Sequence, residues 1–200
     1  AAVLVTANDV TVSGLTLNGE GADTGVQVGR DGAGARPVPT PSGVTISDLS
    51  VAGATTAIGA VHAPALRIAD NEVTATATGI AVGERVPFRD SSTVTGRAKT
   101  TVRGNSISEV ETGIDAVGRV AAVEGNTLSK VEATGIQVGT PRFLSRHWGQ
   151  EIGPIRSNTV TDANRGVVVS GVVTRPVEEN TLSDITAGAL VVEGAVLAPI

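Results

Sequence analysis

The sequence predicts an all-β solenoid, a parallel β-helix of about seven stacked coils with loop insertions on alternate coils. Three observations carry that reading. One short pattern repeats along nearly the whole chain, the composition suits a narrow and uniform core, and the spacing of the repeat alternates between long and short.

The repeat reads VSGLTLNGEGADTGVQVG at 12–29, ISDLSVAGATTAIGAV at 46–61, IADNEVTATATGIAVG at 68–83 and VRGNSISEVETGIDAVG at 102–118. It continues as VEGNTLSKVEATGIQVG at 123–139, IRSNTVTDANRGVVVSG at 155–171 and VEENTLSDITAGALVVEG at 177–194. Self-similarity at a fixed period means one structural unit per repeat, stacked on its neighbours. Alternation at period two around β-branched residues marks short strands, and glycines with polar clusters mark the turns between them.

Three apolar columns should therefore point inward. The first is Val12, Ile46, Ile68, Val102, Val123, Ile155 and Val177; the second is Leu17, Val51, Val73, Ile107, Leu128, Val160 and Leu182. The third is Val26, Ile58, Ile80, Ile114, Ile136 and Val167, with Ala189 expected to close it. An asparagine column (Asn71, Asn105, Asn126, Asn158, Asn180) has Leu15 and Leu49 in the first two coils. Asparagine is expected there because it tolerates left-handed backbone angles and bonds to neighbouring backbone, and stacked asparagines can bond to one another. The adjacent Ser/Thr column (Thr16, Ser50, Ser106, Thr127, Thr159, Thr181) reads as structural.

Composition agrees. With 25 Gly, 2 Phe, 1 Trp and no Tyr, Cys or Met, the core must be filled by Val, Ala, Ile and Leu. A 40% apolar content and a net charge of −5 argue against disorder. Without cysteine there are neither disulfides nor thiolate metal sites. No apolar run approaches a membrane span, which argues against membrane insertion. The chain reads as a single domain over 1–200, and AAVLVTANDVTVSG enters the repeat at once, as expected of a mature part or fragment of a longer protein. Unpaired coil edges near Val3 and Val192 are expected to invite end-to-end association.

On these repeats the chain resembles the right-handed parallel β-helix superfamily typified by pectate lyases, and more closely the short β-helix repeats of periplasmic NosD-type proteins. The resemblance covers roughly residues 10–194. It implies a fold shared by many activities. Polysaccharide lyases and hydrolases on it use carboxylate clusters, often with Ca²⁺, or a positioned Arg or Lys. The NosD-type link to copper-centre assembly does not carry over, since no Met or Cys offers a soft ligand.

The asparagine column is spaced by 34, 22, 34, 21, 32 and 22 residues, counted from Leu15. The extra length of each long coil falls after the Gly-apolar-x-Val-Gly turn, at 29–43, 83–101 and 139–153, so the insertions should project from one edge. They hold all three aromatics, Phe88, Phe143 and Trp148, and five of nine prolines, with Pro154 just beyond. They also hold eight basic residues (Arg30, Arg36, Arg85, Arg89, Arg97, Lys99, Arg142, Arg146) against four acids (Asp31, Glu84, Asp90, Glu151). That is a net +4, leaving −9 elsewhere. Such an edge suits anionic partners, with flat aromatic faces for sugar rings or proteins. Alternatively Phe88 in VPFRD and Phe143 in TPRFL fold down as small satellite cores.

Three functional classes follow. The first is a non-catalytic module recognising a carbohydrate or cell-surface polymer, binding through Arg85, Phe88, Arg89, Arg142, Phe143, Arg146 and Trp148. The second is a polysaccharide lyase or epimerase, with Arg142, Arg146, His147 and Glu151 as its only cluster. The third is a structural spacer of a surface protein. Dense carboxylate clusters are missing: Asp48 and Asp70 share a column, as do Asp162 and Asp184, and both pairs read as solvated turns. Only His62 and His147 could serve a histidine-dependent site, and they lie far apart. No cofactor or metal is expected. Partners are an anionic or neutral polysaccharide or a protein, not nucleic acid, which needs a continuous basic stripe. The expected setting is extracellular or at the cell surface.

Overall fold

The computed structural model describes residues 1–29, 41–61, 64–83, 100–117, 120–139, 153–173 and 175–196. Every strand pairing among them is parallel, and no helix occurs among them. Each coil has three faces. The first face is a seven-stranded sheet of Thr11–Ser13, Thr45–Ser47, Arg67–Ala69, Thr100–Arg103, Val120–Glu124, Ile155–Arg156 and Val177–Glu178, so seven coils are stacked. The second and third faces belong to one bent ten-stranded sheet. In the later coils a single strand, such as Ser106–Ala116 or Thr127–Gly139, runs through both.

The apolar columns pair as the repeat requires. Ile46, Ile68, Val102, Val123 and Ile155 stack on the first face, and Val51, Val73, Ile107, Leu128 and Val160 on the second. Val26, Ile58, Ile80, Ile114, Ile136 and Val167 stack on the third, all of them fully buried. A further rung is added by Val3–Val5, with Val3 on Val26 and Val5 on Val28. The third column closes on Leu190, not on Ala189. A register shift between Ala163 and Arg165 gives the last coil one extra residue, so Val167 faces Leu190.

The asparagine column also needs a correction. The residues with left-handed backbone are those immediately before it: Gly14, Asp48, Asp70, Gly104, Gly125, Ser157 and Glu179, with φ between 54° and 67°. The asparagines themselves point inward. Asn71, Asn105, Asn126 and Asn158 are buried, and the side-chain Nδ2 of each donates to the Oδ1 of the next at 2.9 Å. Each Oδ1 also accepts the backbone N–H of the preceding rung's residue, beginning with Leu49. Each Nδ2 reaches in addition the carbonyl of a first-face residue, Ile46, Ile68, Val102, Val123 or Ile155. A sharp corner strips the backbone of ladder partners, and the amide replaces them.

A second requirement explains the glycine of the Gly-apolar-x-Val motif. Gly25, Gly79, Gly113, Gly135 and Gly166 do not have positive φ. A Cβ at Gly25, Gly79, Gly113 or Gly135 would strike the second-column side chain of the next coil, Val51, Ile107, Leu128 or Val160 respectively, for Gly25 that of Val51 at 2.8 Å. Lack of space, not backbone conformation, demands glycine here.

Four outcomes are expected in urea unfolding of the purified chain. Asn126→Ala orphans the backbone N–H of Asn105, removes one of three acceptors from its side-chain amide, and loses on the order of 3 kcal/mol, whereas Thr127→Ala, exposed next to it, changes stability by no more than about 0.5 kcal/mol. Gly113→Ala overpacks against Leu128 and costs roughly 1–3 kcal/mol. Ile136→Ala removes a fully buried side chain and costs roughly 2–5 kcal/mol.

Candidate functional site

The third face ends on a column that decides where insertions leave. Val61 pairs with Gly83, Val117 donates its N–H to the Val82 carbonyl at 2.7 Å, and Gly139 pairs with Ser170. Gly29 ends the equivalent strand of the first coil, with its N–H on the Val5 carbonyl at 2.9 Å. Long coils therefore leave at Gly29, Gly83 and Gly139, on one edge and two rungs apart, a separation of about 10 Å. The chain returns to the first face through Gly153, whose N–H donates to the Val120 carbonyl at 2.8 Å. A side chain at Gly153 would meet the Ala121 carbonyl, so the backbone at Gly153 lies in close contact with the rung below.

The residues expected to bind or react at this edge, Arg85, Phe88, Arg89, Arg142, Phe143, Arg146, His147, Trp148 and Glu151, lie outside the described residues. So does His62. The two aspartate pairs are described. Asp48 and Asp70 occupy one left-handed corner and Asp162 and Asp184 another, and all four are exposed. Among the described residues no group of three or more His, Cys, Asp or Glu could hold a metal ion.

The outer surface of the third face, beside the insertion roots, carries a group that the repeat pattern does not mark. Its central column reads Gln27, Gly59, Ala81, Asp115, Gln137, Val168 and Val191. Asp115 is its only ionisable member and lies in the short coil between those that leave at Gly83 and Gly139. Its Oδ1 is buried with no hydrogen-bond partner. Burial pushes the Asp115 carboxyl above the usual carboxylate range. Two outward residues flanking Gln137 are also dry, Thr134 at 8% and Val168 at 3% exposure. The sequence signal was available: a lone acid at the variable position of GIDAV, where other coils place Gln, Gly, Ala or Val.

A second concavity lies at the corner between the first and second faces. It is open, about 430 Å³, floored by Gly104 and Gly125 and walled by Asp70, Arg103, Glu124, Arg156 and Glu179. Its charges alternate along the axis, and Arg156 Nε is paired with Glu124 Oε1 at 2.8 Å. Its three acids outnumber its two arginines by one, and the mixed signs leave it no strongly charged patch.

A family model described as right handed beta helix region matches residues 2–197. The chain belongs to the right-handed β-helix family. No curated protein and no solved structure matches it. Membership agrees with the parallel ladders and fixes the hand of this β-helix. It assigns no reaction or ligand, because the family shares a backbone architecture and not a site.

A pH experiment tests the Asp115 environment. Its raised carboxyl means that the folded β-helix holds this proton more tightly than the unfolded chain. That stabilisation is fully present below the unfolded carboxyl's titration and is lost as pH rises through the folded one. Asp115→Asn cannot titrate. Its stability relative to the native protein should rise across that window and level off above it, read from urea midpoints against pH.

Proposed function

We propose that this β-helix is a non-catalytic recognition module for a carbohydrate or cell-surface polymer, anionic or neutral. It binds across the insertion edge and the adjoining outer surface of the third face, outside the cell or at its surface. The observation that carries this reading is the alignment of the insertion roots Gly29, Gly83 and Gly139 on one edge. The insertions that leave from those roots hold every aromatic residue of the chain and a net charge of +4. Loops repeated at a fixed rise suit a ligand that itself repeats.

Scarcity of paired carboxylates favours recognition over hydrolysis. Glycoside hydrolysis needs two carboxyl groups flanking one bond, and Asp115 is the only described acid whose carboxyl is raised. That same carboxyl is the observation favouring the alternative, a lyase or epimerase in which Arg142, Arg146, His147 and Glu151 would join it. A glycan-array screen of the purified chain, run beside an assay for unsaturated products, separates the two. Binding without product supports recognition, and product formation overturns it.

Substitutions locate the surface. Trp148→Ala should weaken binding by roughly tenfold or more, as loss of an aromatic anchor does, with little change in stability. Arg142→Ala and Arg146→Ala should lower affinity more at low salt than at high salt, because screening removes that part of the attraction. If Trp148→Ala unfolds the chain as Ile136→Ala does, the tryptophan is a packing residue and the chain is better read as a structural spacer.

A further inference from the structure

Two buried side-chain oxygens among the described residues have no hydrogen-bond partner, the Thr76 hydroxyl and Asp115 Oδ1, and only the second is ionisable. A charged carboxylate in that state is costly, and the cost falls when the group takes up a proton. Among the described residues, its surroundings supply no cation. Across the ladder Asp115 faces Ala81 and Gln137, and its outward neighbours in the same coil are Thr112 and Val117. On the flanking column Thr78 and Thr134 lie one rung to either side, and Arg165 follows two rungs on. On the other flank stand Gly83, Gly139 and Ser170, and the first charge is Glu193, three rungs on. A proton on Oδ2 then turns the side chain into a donor, with Oδ1 left as a neutral carbonyl oxygen.

We propose that Asp115 and Gln137 form a subsite for a ligand carboxylate, with the Asp115 carboxyl and the Gln137 side-chain amide each donating to it. The two stand on adjacent rungs, about 4.8 Å apart at the backbone, and the longer glutamine side chain can lean across that gap. Ala81 on the other side is small and leaves room for the ligand group. Thr134 and Val168 are themselves shielded from water, so the subsite borders a dry surface, which strengthens both hydrogen bonds. The inference deepens the recognition reading and rests on it: the polymer carries carboxylates, matching the basic insertions, and its retention depends on pH. Ionisation of Asp115 removes a donor and puts a negative charge against the ligand's own, so the polymer is released as pH rises.

Polyglucuronate and its carboxyl-reduced form, a neutral glucan, are the probes, titrated into the whole chain from about pH 4 to about pH 8. The expected result is that the native protein binds polyglucuronate more weakly as pH rises and binds the reduced polymer weakly throughout. Asp115→Asn keeps an N–H donor and should bind polyglucuronate with a flat pH profile. Gln137→Leu should lose affinity at low pH, where the native protein is strongest. A native profile that is flat, or an Asp115→Asn profile that still falls as the native one does, overturns the subsite while leaving recognition standing. Binding of the neutral glucan alone does the same. Failure of both polymers, together with a blank glycan array, removes the recognition reading itself. One measurement needs no ligand: carbon-13 detection of the Asp115 carboxyl titration in the free protein. An ordinary carboxylate midpoint there sinks the proposal whatever binds.

Discussion

Parallel stacking at a rise of about 4.8 Å per coil is the constraint on which the whole molecule depends. A residue in one coil lies directly over its equivalent in the next, so anything that fits once must fit seven times. Ile58, Ile80, Ile114 and Ile136 meet this requirement by being the same residue, stacked and fully buried. Gly79, Gly113 and Gly135 meet it differently, by leaving the space that the next coil's Ile107, Leu128 and Val160 occupy. Large aromatic rings have no place in so narrow an interior, and the chain has almost none.

The asparagine ladder answers the one problem that stacking alone cannot solve. Strands pair with the coils above and below, but a corner turned by a left-handed residue leaves amides without partners. Each asparagine accepts from the backbone and the side chain of the preceding rung while donating to the next. Interior rungs are thereby coupled, and the ladder gives way to leucine only in the first two coils, where Leu49 N–H still donates to Asn71 Oδ1. Surface charge is left to the exposed corners. Lys130 Nζ pairs there with Glu109 Oε1 at 2.9 Å, an exposed contact of small energetic weight.

Variation between coils is tolerated where stacking imposes nothing. Insertions leave only after the third face has completed its pairing, so their length does not disturb the ladders. Asp115 sits on the outer side of that face, where side chains need not match between coils. Its neighbours above and below, Ala81 and Gln137, differ from it and from each other. A half-buried acid there contributes nothing to stacking. Its presence is unexplained by the fold and consistent with a role in binding.

The sequence by itself determined the coil count, the three inward columns and the edge from which the insertions leave, because a stacked repeat writes each column as a recurring letter at a recurring interval. It misplaced the left-handed corner by one residue, since Asn71 and its equivalents carry the same local signal whether they turn the chain or bridge the turn. It closed the third column on Ala189 instead of Leu190, because a one-residue bulge leaves no mark in composition. Only the tertiary structure singled out Asp115. Its character depends on what surrounds its two oxygens, and those neighbours lie above and below it in coils 34 residues before and 22 residues after it along the chain.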